Sequence, residues 1–76
     1  MTYQELESEV NEALKTKQKC LRKGQFVFNY LYKKYPVVVE AVQFEDRVDC
    51  YYVDERIEDF IAHVVKRINE MYYEIG

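Results

Sequence analysis

The last third of the chain carries an apolar stripe that leaves little choice in how it can fold. Ile57, Phe60, Ile61, Val64, Ile68, Met71, Tyr72 and Ile75 recur at steps of one, three and four, the spacing that lays one side of an α-helix against a core. About 21 residues at 1.5 Å each make a helix roughly 30 Å long, the width of a small domain. In a chain of 76 residues such a helix is the spine against which the rest must pack. A domain this short buries only about 60% of the surface its unfolded chain exposes, so its core is thin. A partner or a second copy would add burial.

The preceding segments also read as helices. Thr2 and Glu5 have the spacing of a capping box, in which each side chain accepts a backbone N–H of a helix start. Leu6, Val10, Ala13 and Leu14 then draw a narrow stripe, acids crowd the first half, and Lys15, Lys17 and Lys19 follow as the helix dipole favours. This predicts a helix over about 3–20, lying on the surface of the fold or against a partner. Gly24 punctuates, and Phe28, Leu31, Tyr32 and Tyr35 set an aromatic core face for a second helix over 25–35. Pro36 disfavours helical geometry at Tyr35 and suits the first turn of a short helix through Val37, Val38, Val39, Ala41 and Val42. Four valines also favour a strand, and residues 37–44 could pair with 48–53 across Glu45, Asp46 and Arg47. Asp54 can cap the last helix. The expected fold is all-α, a compact bundle of about four helices in one domain over 1–76; the alternative is α+β, with a hairpin at about 37–53.

Composition removes several kinds of chemistry. With only Gly24 and Gly76, there is no glycine loop to cradle phosphates. His63, the sole histidine, lies beside the apolar stripe with no triad partner in evident spacing. Asp46, Asp49, Asp54, Glu55, Glu58 and Asp59 crowd one region but lack the alternation and central glycine of a calcium loop. Neither metal nor cofactor is expected, and the chain reads as a non-enzyme that works by binding. Cys20 and Cys50 suit two reduced thiols. The opening Thr2-Tyr3-Gln4-Glu5 is no secretory signal, and no apolar run reaches membrane-span length. The expected setting is the bacterial cytosol, with no membrane partner.

The net charge of −3 conceals blocks of opposite sign. Residues 13–39 hold seven bases and no acid, whereas residues 40–59 hold eight acids against two arginines. Lys15, Lys17, Lys19, Arg22, Lys23, Lys33 and Lys34, near Phe26 and Tyr30, could grip RNA or DNA, with bases stacking on the rings. The acidic belt with Asp46, Asp49, Tyr51, Tyr52 and Glu55 could instead dock into a basic groove of a protein, carboxylates steering and tyrosines anchoring. Eight tyrosines are more than a thin core needs and favour an interface.

Two clusters carry a resemblance: Gly24-Gln25-x-x-Phe28-Asn29-x-Leu31-Tyr32-x-x-x-Pro36, and Asp49-x-Tyr51-Tyr52-x-Asp54-x-x-Ile57-x-x-Phe60. They resemble a family of short, uncharacterised phage, prophage and plasmid proteins with a GQxxFNxLYxxxP segment followed by a DPFYxDxxIxxF segment. The resemblance spans roughly residues 22–65. This chain departs from it in having Cys50 where Pro is usual and Tyr51 where Phe is usual, and residues 37–42 are richer in valine. The resemblance implies a helical fold and a mobile-element setting without implying a mechanism. In physical terms, Gly24 fits a bend at helix entry and Asn29 can hydrogen-bond a neighbouring backbone. The leading expectation is a small protein that binds and modulates a larger host protein or protein–RNA complex. In its sharpest form it inhibits a defence or nucleic-acid-handling enzyme, in the manner of an anti-CRISPR protein. The alternatives are a self-assembling or virion-associated accessory protein, and a nucleic-acid binder using residues 15–34.

Overall fold

A computed structural model describes residues 1–17 and 19–72. Its helices are α1 (Tyr3–Leu14), α2 (Lys23–Lys34), α3 (Pro36–Ala41) and α4 (Ile57–Tyr72). One π-helical turn, Val42–Asp46, extends α3, and a 3₁₀ turn, Asp54–Arg56, leads into α4. No strand occurs among the described residues, so the all-α expectation holds and the hairpin does not form. The reason lies in burial. Pro36 starts α3 with its φ already suited to a helix, and Val38, Val39 and Val42, at helical spacing, are all 0% exposed. Packing of that face overrides the β preference of its residues.

α1 begins with the expected capping box: Thr2 Oγ1 accepts the Glu5 N–H at 3.2 Å, and Glu5 Oε1 accepts the Thr2 N–H at 3.0 Å. It stops at Leu14 rather than near residue 20. The N–H groups of Lys15, Thr16 and Lys17 bond to carbonyls three residues back, and the Thr16 hydroxyl donates to the Ala13 carbonyl at 2.7 Å. This tightened turn, aided by a hydroxyl that bonds its own backbone, ends the helix. Lys15, Lys17 and Lys19 therefore lie beyond α1, and Gln18 is outside the described residues.

Leu6 and Val10 are the buried residues of α1, a narrow stripe that packs on α2 and α4. On α2 the buried side is Gly24, Val27, Phe28 and Leu31, rotated from the expected face. Tyr32 is 39% exposed. Tyrosine keeps its hydroxyl wet at little cost while Val27 has no polar end to satisfy, so the aliphatic residue takes the core position. α3 packs on α2 and α4. Phe60, Ile61, Val64, Val65 and Ile68 of α4 close the core. Met71 is exposed, and Ile75 and the Tyr72 side chain lie outside the described residues. The described core contains no buried polar or charged residue. Among the described residues, no helix is long and apolar enough to cross a membrane.

Candidate functional site: an aromatic groove on a clasped loop

The loop over residues 47–53 is fastened to the start of α2. The Gly24 N–H, unpaired within the first turn of its helix, donates to Asp54 Oδ1 at 2.9 Å. Asp54 thus caps α2 across the fold, a correction to its expected role at α4. The Cys50 thiol donates to the Gly24 carbonyl at 3.3 Å. The guanidinium of Arg22 donates to the carbonyls of Tyr51 and Tyr52 at 2.7 and 3.0 Å. Gly24 serves this closeness and makes no bend: its φ is not positive, but a Cβ there would stand 2.2 Å from the Cys50 carbonyl oxygen. Burial pushes the Cys50 thiol up to about 12, which keeps it protonated as a donor.

This clasp holds a row of rings running from core to surface. Phe28 stacks on buried Phe60 at 5.7 Å and on Tyr32 at 6.0 Å, and meets Tyr51 edge-on at 5.4 Å. Tyr51 in turn meets Tyr52 at 4.7 Å and 71°. Gln25 Nε2 donates to the Tyr51 hydroxyl at 3.0 Å, and the Tyr32 hydroxyl donates to Glu40 at 3.1 Å. That hydrogen bond and charge at Glu40 raise the Tyr32 phenol above its ordinary pKa. Between these rings opens a groove of about 400 Å³, walled by Phe28, Tyr32, Tyr51 and Tyr52 and rimmed by Asn29, Gln43 and Asp49. Its volume lies in the range of small-ligand and side-chain pockets. Tyr52 is 75% and Phe44, beside Gln43 in sequence, 70% exposed.

Of the acidic-belt residues, the structure brings Asp49, Tyr51 and Tyr52 together in this groove. Glu55 stands apart, lining a second recess with Lys23, Asp54, Ile57 and Glu58. Asp46 is occupied within the fold. Its carboxylate accepts from Arg67 at 2.7 and 3.3 Å and lies 3.0 Å from His63 Nδ1. Arg67, and then His63, hold the Asp46 carboxyl down at about 2 against partial desolvation. The basic segment is likewise partly engaged: Lys15 pairs with Glu12 and Lys34 with Glu9. Arg22 clasps the loop and lies 5.8 Å from the centre of the Tyr52 ring. Lys19, Lys23 and Lys33 are exposed and spread over the connection and both ends of α2. Tyr30, expected to be open to bases, donates to Glu9 at 2.8 Å.

Asn29 and Gln43 were not legible as site residues. Asn29 does not hydrogen-bond a neighbouring backbone among the described residues; it is exposed at the groove rim. The spacing of Phe28, Asn29 and Tyr32 was visible in the sequence, but it reads equally as packing. Among the described residues no cluster of His, Cys, Asp and Glu is placed to hold a metal ion. No protein-family model, curated protein or solved structure matches the chain.

Proposed function

We propose that this protein is a non-enzymatic binder that engages a larger host protein through the aromatic groove and modulates it. The observation that carries this reading is the pairing of wide exposure with rigid support: Tyr52 is 75% exposed, yet Arg22 holds the backbone carbonyls of Tyr51 and Tyr52. Aromatic side chains presented at fixed positions give contact area with little ordering entropy, the property of interface anchors. The resemblance to mobile-element proteins supports a host partner. The finer form is an inhibitor of a defence or nucleic-acid-handling enzyme in the host cytosol, of the anti-CRISPR kind. The nucleic-acid reading is weakened by the internal pairing of Lys15, Arg22 and Lys34.

The test is affinity capture from a bacterial lysate with and without nuclease, followed by mass spectrometry and an activity assay of the captured protein. The expected result is one host protein that survives nuclease and whose activity changes on adding the purified chain. Recovery that collapses with nuclease would instead make the basic segment the functional surface. Recovery of further copies of this chain alone would favour the self-assembling reading.

A further inference from the structure

We propose that the groove is a receptor for a guanidinium group, so that the partner inserts an arginine side chain between the rings and Asp49. The inference deepens the binding reading and rests on it for the partner, although the groove's chemistry can be tested without one. Three features of the groove point to a cation. Its walls are four aromatic rings, whose faces carry the negative lobe of the ring quadrupole and attract cations at about 6 Å or less. Those rings do not lie in one plane: Tyr32 is nearly parallel to Phe28, Tyr51 stands at 90° to it, and Tyr52 is turned 71° from Tyr51. The single charged residue of the lining is Asp49. One of its carboxylate oxygens accepts the Tyr51 N–H at 3.2 Å, and no cation pairs with it among the described residues.

Guanidinium fits better than ammonium because it is planar, stacks on rings and presents five N–H donors that need acceptors. Asp49, Asn29, Gln43 and Tyr52, all in the groove lining, carry oxygens of the kind those donors need. The fold already uses this recognition once, in the guanidinium of Arg22 beside the Tyr52 ring. The two carbonyls that Arg22 binds satisfy its N–H donors without neutralising its charge, so the incoming guanidinium is expected on the Asp49 side of the groove. Two carboxylates stand at the groove, Asp49 in its lining and Glu40 on the hydroxyl of Tyr32. Such a field favours entry of a positive group and rejects an anionic one.

The probe is N-acetyl-arginine-N-methylamide, titrated into the full-length ¹⁵N-labelled protein at low salt. The neutral citrulline counterpart, of nearly the same shape, and the lysine counterpart serve as comparisons. Saturable shifts at the Asn29 and Gln43 side-chain amides and at residues 49–52 are expected, with a Kd on the order of millimolar, as suits a single group. The citrulline probe should bind at least about fivefold more weakly, and Asp49→Asn should weaken the arginine probe by about the same factor. Asn at that position keeps an oxygen for the Tyr51 N–H, so an unchanged Tm separates lost recognition from lost folding. Equal binding of arginine and citrulline, absence of saturation, or shifts centred on other acids would overturn the proposal. Equal binding of the lysine probe would overturn the choice of guanidinium. Because the titration needs no host protein, its failure leaves the lysate capture to stand or fall alone.

Discussion

Substituting Gly24 by alanine should unfold much of what the groove depends on, although in an ordinary helix the same change stabilises by about 1 kcal/mol. The added carbon would stand 2.2 Å from the Cys50 carbonyl oxygen and 2.7 Å from Asp54 Oδ1. The nearer of these is backbone and cannot rotate away, so α2 and the loop over 47–53 must separate by roughly 1 Å to reach van der Waals contact. That separation breaks the Gly24 N–H to carboxylate bond, worth about 1.5–3 kcal/mol, and loosens the Cys50 and Arg22 bonds, each about 1 kcal/mol. Allowing for the intrinsic preference for alanine, the net loss is about 3 kcal/mol. A domain of this length has total stability of roughly 4–11 kcal/mol, so Gly24→Ala should be marginal. The assay is urea unfolding followed by far-UV circular dichroism. With a slope near 1 kcal/mol per molar, the midpoint should fall by about 2–3 M. Asp54→Ala, which loses the cap without the clash, should fall by about half as much. An unchanged or raised midpoint in Gly24→Ala would refute the claim that close approach, rather than backbone freedom, fixes glycine there.

Three further outcomes are expected. Asp46 has a folded pKa of about 2 against an ordinary 3.8, so its stabilisation is complete above about pH 4 and is lost as pH falls toward 2; urea midpoints from pH 5 to pH 2 should drop more steeply in wild type than in Asp46→Asn. Arg47 holds a left-handed conformation at φ 58°, where its N–H closes the π turn onto the Val42 carbonyl at 2.8 Å; Arg47→Gly should raise stability by about 0.5–1 kcal/mol in the same assay. Cys20 is exposed and Cys50 buried, so an aromatic disulfide reagent should titrate Cys20 in the native protein and reach Cys50 only in denaturant.

Much of the helical plan was legible because it depends on local pattern. The Thr2–Glu5 box, the break at Tyr35 with φ −134° and the stripe on α4 each follow from residues within one or two turns of one another. The misread points are those set by distant parts of the chain. Asp54 precedes α4 in sequence and so suggested a cap for it, yet its carboxylate meets Gly24, 30 residues away. Asp46 looked like a free member of an acidic belt because nothing local reveals Arg67, 21 residues on. Tyr32 kept helical register with Phe28, but which of two adjacent faces turns inward was decided by Val27 meeting the core. Tyr51 and Tyr52 were legible as an interface pair; the groove they form with Asn29 and Gln43 was not, since it exists only once the loop is clasped to α2.

The central claim is that the aromatic groove is the working surface, and the most direct measurement is the affinity of the captured partner for four proteins: wild type, Tyr52→Ala, Phe44→Ala and Lys33→Ala. Tyr52 and Phe44 are the most exposed large apolar residues described, so their truncation should cost little stability. The groove predicts at least about a tenfold loss of affinity for Tyr52→Ala, a smaller loss for Phe44→Ala and a change within about twofold for Lys33→Ala. Loss confined to Lys33→Ala, with Tyr52→Ala binding as wild type, would contradict it and move the working surface to the basic segment.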